Sequence, residues 1–196
     1  MNKIVVFASG SGSNFQAIID AINTGQIRAE ISGLIAGKPG IKAIDRAKDA
    51  DIPVAILQPS AFPSDSDFSK ALLEQLREWD PRLIVLAGYL QKIPAEVIRE
   101  YEGSIINIHP ALLPKYGGKG FYGIAVHKAV IDAGDEKSGC TIHLVTENYD
   151  EGPFLDRVEV DVLPDDTPES LAARVLEQEH RLLPEVIAKI INPKVI

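Results

Sequence analysis

Apolar residues recur along this chain in two alternating rhythms: short unbroken runs, and longer stretches with a period near 3.6 residues. Residues 3–8, KIVVFA, form an unbroken run rich in β-branched side chains and closed by a Gly/Ser cluster. Such a run suits a strand covered on both faces, where no position needs to be polar. Over 14–23, Phe15, Ile18, Ile19 and Ile22 fall at helical spacing, with Gly25 just beyond as a stop. Apolar runs at 31–36, 54–57, 83–87 and 104–108 then alternate with helix-like stretches, notably 42–50 and 67–79. This punctuation predicts an α/β, Rossmann-like fold: a mostly parallel sheet with right-handed crossovers, flanked by helices.

After Asn107 the rhythm breaks. The segment HPALLPKYGGKGFYG has two prolines and four glycines, which predicts a loop leaving the carboxyl end of a strand. Ligands of open α/β sheets bind at such ends. Beyond it, 124–133 reads as a helix, 140–146 and 154–162 as late strands that pair antiparallel, and 167–191 as a long C-terminal helix. Asp165, Asp166 and Thr167 offer N-caps and Pro168 a helix-tolerant start. Pro184 should kink or divide that helix. No repeat or linker interrupts the pattern, so residues 1–196 are expected to form one domain.

Composition narrows the chemistry. With 45% hydrophobic and 24% charged residues the chain reads as a soluble globular protein. Twenty Lys and Arg against 28 Asp and Glu leave a net charge of −8, which repels polyanions. No nucleic-acid partner is expected, and any phosphate must be caught locally. Cys140 stands alone and cannot close an intramolecular disulfide, which fits a reducing compartment, and the four histidines are too dispersed for a metal site. The first apolar run is too short for a signal peptide or a membrane span, so a cytoplasmic location without membrane contact is expected.

Three polar elements carry candidate chemistry. Between the first strand and helix, SGSGSN (residues 9–14) sets backbone amides, a helix dipole and the side chains of Ser13 and Asn14 where an anion can sit. The same residues would also serve as a plain helix-capping turn. The pattern is GxGxxF, lacking the third glycine of a dinucleotide fingerprint, and no Walker A motif occurs. At the end of the fifth run, Asn107 and His109 are two residues apart and share a side of the strand. An amide donor and a titratable imidazole suit a developing oxyanion and a proton transfer, although each also has ordinary structural roles. The turn around Asp150 is either a simple hairpin connection or the source of a carboxylate that orients His109 and favours its imidazolium form. His127 and His143 read as core or surface residues, and Cys140 as a small buried hydrophobe.

Together SGSGSN, LAGY, INIHPALLPKY, GKGFYGIAVHKAV, DEGP and LEQEH make almost the whole chain resemble the phosphoribosylglycinamide formyltransferases, within the folate-dependent formyltransferase family. The resemblance implies a single formyltransferase domain that moves the formyl group of 10-formyltetrahydrofolate to the amine of glycinamide ribonucleotide, without a metal, in purine biosynthesis. It implies a catalytic Asn107, His109 and Asp150; ribonucleotide contacts from Gly12, Ser13, Asn14 and Glu179; and a folate pocket formed by Leu90, Gln91, Lys92, Ile93, Asn107 and Thr146. A monomer or homodimer is expected. Related tRNA formyltransferases and formyl-folate hydrolases carry an additional domain for which this length leaves no room; a non-catalytic phosphometabolite binder is the alternative of another class. The chain departs from the family pattern at Gly37, Asp65 and Arg157, changes that bear on the pocket wall.

Overall fold

The short apolar runs pair into one seven-stranded sheet. The computed structural model describes residues 1–192. In chain order, β1 (Asn2–Ala8) leads to α1 (Ser13–Asn23), β2 (Ala29–Ala36), α2 (Lys42–Asp49) and β3 (Val54–Ile56). After a 3₁₀ turn at Pro59–Ala61 come α3 (Asp65–Trp79), β4 (Leu83–Leu86), α4 (Ala95–Glu100) and β5 (Ile105–His109). Then follow α5 (Ile124–Asp132), β6 (Lys137–Leu144), β7 (Phe154–Asp161) and α6 (Pro168–Ile191). Strand order is β3-β2-β1-β4-β5-β6-β7. The first five strands are parallel, while β6 runs antiparallel to both β5 and β7.

The alternation of side chains along β1 divides the core. Ile4, Val6 and Ala8 face a layer with Phe15 and Ile18 of α1 and Leu171 and Val175 of α6. Val5 and Phe7 face the opposite layer, with Phe68, Leu72 and Leu76 of α3 and Val97 of α4. Both faces are therefore covered, as the unbroken apolar runs require. Connections from β1 and β4 leave in opposite directions along the sheet, so the loops at their carboxyl ends part and open a crevice.

One local reading needs correction. The helix α6 is not divided at Pro184: it continues as one helix over 24 residues. Pro184 withholds an amide from the carbonyl four residues earlier, but it is buried together with Leu182, Leu183, Val186 and Ile187 on both sides of it. Packing of the flanking turns outweighs the missing bond. The start of α6 is held by a reciprocal cap between Thr167 and Ser170 and by the fork of Arg174 on Asp166 at 2.7 and 2.8 Å. The six-residue α4 and the 3₁₀ turn lie outside the predicted elements, because neither spans enough residues to display a periodicity. No helix of the described residues is long and apolar enough to cross a membrane.

Candidate active site

The crevice deepens into a cleft of about 640 Å³, lined by the turn after β1, the segment after β4, the end of β5, the 118–124 loop, the turn before β7 and one face of α6. Gly12, Ser13, Asn14, Leu90, Gln91, Lys92, Ile93, Asn107, His109, Thr146, Asp150 and Glu179 all border it. Residues spread over most of the chain thus meet in one space.

At one end lies the glycine-rich turn. No side chain caps α1; Gly12 takes the N-cap position at φ 70° and ψ 30°, a left-handed conformation that favours glycine. A Cβ there would lie 2.7 Å from that of Ala43. The first intrahelical amide to be returned is that of Gln16, to the Gly12 carbonyl at 2.9 Å. The amides of Ser13, Asn14 and Phe15 precede it, at the positive end of the helix. Asn14 donates from Nδ2 to Glu179 Oε2 at 2.6 Å, and Asn14 Oδ1 is buried without a partner. Burial pushes the Glu179 carboxyl up to about 7, against the opposing effect of the Asn14 bond.

The centre of the cleft is built by strand pairing. Antiparallel register sets Asn107 opposite His143 and His109 opposite Thr141. Asn107 Nδ2 lies 3.1 Å from His143 Nε2 and 3.4 Å from Asp150 Oδ1. The His143 Nδ1 is 2.9 Å from the Leu144 carbonyl, which only accepts, so that nitrogen carries a hydrogen. Asp150, at φ 56°, accepts from the Gly118 amide at 2.9 Å and stands 3.6 Å from His109 Nδ1 and 3.4 Å from His143 Nε2. Burial pushes the Asp150 carboxyl up, but the imidazoles of His143 and His109 and the Gly118 amide together hold it below the usual range. It is an anion at neutral pH.

His109 corrects one expectation. Burial lowers its imidazole more than the Asp150 charge and the Tyr116 carbonyl raise it, so in the free site Asp150 does not win the imidazolium form. Desolvation of a ring that is 5% exposed outweighs an anion 3.6 Å away. His109 Nε2 is 2.7 Å from the Tyr116 carbonyl and carries the ring hydrogen. Nδ1 is left as the atom that can take a proton.

His143 is the site residue that sequence reasoning missed. Its only signal is the register of β5 against β6, which no local spacing encodes. His127 is buried and also borders the cleft. Cys140 is buried, as expected, with its thiol pushed up to about 12, chiefly by burial.

The far wall is less polar, with Ile93, Ile98 and Val145 beside the segment after β4. Ser9 Oγ accepts from the Leu90 amide at 3.1 Å, and Gln91 Nε2 donates to the Gly37 carbonyl at 2.7 Å. A Cβ on Gly37 would come within 2.8 Å of both Gln91 Oε1 and Ser9 Oγ, so this departure matches the position of Gln91. Asp65 opens α3 and Arg157 lies in β7; neither borders the cleft. Lys92 Nζ sits 5.7 Å from the centre of the Tyr149 ring.

A model of the formyl transferase family matches residues 2–187. The chain is 45% identical to a chloroplastic phosphoribosylglycinamide formyltransferase of Vigna unguiculata, over 99% of this chain and 62% of the relative, so it spans less than two thirds of that protein's length. It is 36% identical to the phosphoribosylglycinamide formyltransferase of Escherichia coli K12, over 95% of this chain and 85% of the relative. The crystal structure of phosphoribosylglycinamide formyltransferase from Bacillus halodurans superposes with a TM-score of 0.92 at 36% identity, covering 98% of this chain and 96% of the other. With sequence, sheet order and cleft in agreement, the chain belongs to the formyl transferase family.

Proposed function

We propose that this chain, as a single formyltransferase domain, transfers the formyl group of 10-formyltetrahydrofolate to the amine of glycinamide ribonucleotide, giving the N-formyl product and tetrahydrofolate for purine biosynthesis. The observation that carries the reading is the meeting of Asn107, His109 and Asp150 between an anion-receptive turn and a mainly apolar wall. The curated relatives of plant and bacterial origin carry the corresponding name.

The turn at Gly12, Ser13 and Asn14 receives the ribonucleotide phosphate, because first-turn amides and the helix dipole favour an anion there. Glu179 accepts from the ribonucleotide on the α6 side. Leu90, Gln91, Lys92 and Ile93 present backbone to the pterin, and Thr146 borders the same pocket. Holding both substrates in reactive alignment removes the cost of a bimolecular encounter, worth about 7–11 kcal/mol in favourable cases.

Asn107 exchanges its long 3.4 Å contact with Asp150 Oδ1 for the formyl oxygen and donates to it as it gains negative charge. His109 Nδ1 takes the proton that the attacking amine must lose and delivers it to the tetrahydrofolate nitrogen as the old C–N bond breaks. Asp150 stabilises the transient imidazolium, and being held as an anion it does so without first losing a proton. The Gly118 amide holds Asp150 in place. The proton count closes, since one proton leaves the amine and one reaches the leaving nitrogen.

A reducing, cytoplasmic setting is part of the same proposal, supported by the buried thiol of Cys140. The experiment combines purified protein with glycinamide ribonucleotide and 10-formyltetrahydrofolate, omitting each in turn. Tetrahydrofolate and formylated ribonucleotide should form together and only when both substrates are present. Folate product without the amine would mark a hydrolase, and ribonucleotide binding without turnover a binding protein.

A further inference from the structure

Two consecutive carbonyls of the turn after β1 are tied away from the cleft. The Gly10 carbonyl accepts from the Ala43 amide at 3.3 Å, and the Ser11 carbonyl accepts from Arg46 Nε at 3.0 Å. Ala43 and Arg46 both belong to α2, one turn apart. In a trans peptide the C=O and the following N–H point in opposite directions. Fixing the Ser11 carbonyl toward α2 therefore directs the Gly12 amide away from α2, and the same holds for Gly10 and the Ser11 amide.

Arg46 is more than a tether. Its second bond, from Nη1 to Gln16 Oε1 at 2.9 Å, goes to a neutral oxygen like the first, so neither partner cancels its charge. Its stem packs under the turn, with Cδ 3.4 Å from where a Gly12 Cβ would be. It borders a hollow behind the turn with Ser13, Gln16 and His180 and does not border the main cleft. On the cleft side, Asn14 is 8% exposed and its Oδ1 has no partner. That oxygen only accepts, so it suits a hydroxyl or N–H of the ribonucleotide next to the phosphate that the first-turn amides receive.

We propose that Arg46 is a positioning residue for phosphate recognition: it holds the Ser11–Gly12 peptide so that the amide meets the phosphate, and places its own charge behind that peptide. The inference rests on the ribonucleotide reading above and deepens it. A fixed donor spends no energy on reorientation when the anion arrives, and a guanidinium behind the peptide reinforces the helix dipole at short range.

The test compares glycinamide ribonucleotide with its dephosphorylated nucleoside as formyl acceptors, in the full chain and in R46Q. The ratio of kcat/KM for nucleotide over nucleoside should fall about tenfold in R46Q, the scale of one hydrogen bond to a charged group. The loss should enter through KM for the nucleotide. R46K keeps the charge and the stem but lacks the rigid fork, and should fall about threefold; it carries the test alone if R46Q does not fold. Equal losses with both acceptors, as from general damage, or an unchanged ratio overturn the assignment. A wild-type chain that transfers nothing, or ignores the phosphate, removes the underlying reading and Arg46 with it. A wild-type preference that R46Q leaves intact removes Arg46 alone.

Discussion

Glu179 shows how one residue trades stability for function. It is buried, holds Asn14, and its carboxyl is raised to about 7 from an ordinary 4.5. Below pH 4.5 both folded and unfolded chains keep the proton and nothing is lost. Between 4.5 and 7 the unfolded chain ionises first, so stability falls as pH rises, by about 3 kcal/mol once the folded group has also ionised. The substitution E179Q keeps the shape and removes the charge. Urea unfolding should find E179Q more stable than wild type at pH 8 by up to that amount and nearly equal to it at pH 4. Equal gains at both pH values, or none at pH 8, would contradict the cause. The same substitution should raise KM for the ribonucleotide. The sequence showed this carboxylate only through resemblance, since QEH on a helical pattern says nothing of what α6 packs against. Burial of His109 was likewise invisible, which is why its imidazolium was expected although burial lowers the imidazole more than Asp150 raises it.

At the level of elements, the strand ends are held as firmly as the strands. Thr141 of β6 is fully buried; its Oγ1 accepts from the Leu113 amide at 3.2 Å and donates to the Ala111 carbonyl at 2.7 Å. This one hydroxyl fixes the backbone just past His109 and so the start of the glycine-rich loop. T141V keeps the volume but strands two buried backbone groups, which costs about 1–3 kcal/mol. Denaturant unfolding should show that loss and turnover should drop with it; stability within about 0.5 kcal/mol of wild type would refute the role. Elements with long apolar runs were legible: β1, α1, β4 and α3 lie within about two residues of their predicted limits. The early sheet followed from right-handed crossovers. The pairing that sets His143 against Asn107 did not, because an antiparallel register depends on a connection of variable length, here the glycine-rich loop and α5 between β5 and β6. Division at Pro184 failed for the opposite reason: a local rule was overridden by burial on both flanking turns.

Across the whole molecule, the cleft joins parts that are otherwise linked only through the sheet. Its walls come from the β1–α1 turn, the segment after β4, the 118–124 loop and α6. A ligand that touches several of these binds the folded chain and not the unfolded one. At 100 times its Kd it should add about 2.7 kcal/mol to stability. Thermal unfolding should therefore shift upward with the formylated ribonucleotide and with tetrahydrofolate, and further with both together. A pair that gives no more than the larger single shift would mean that the two do not share the cleft. The net charge of −8 works against anionic substrates at long range, so capture depends on the local field of the turn and should persist when salt screens the remainder.

The central claim is that Asn107 and Asp150 serve one chemical step through a shared geometry with His109. The most direct measurement is kcat/KM for formyl transfer in N107A, in D150A and in the double variant. Each single substitution should lower it by about 100-fold or more, the scale of losing an oxyanion donor, and the double should fall little below the worse single, as for groups that act as a unit. Losses that multiply, or a folded single variant with near-normal turnover, would contradict it.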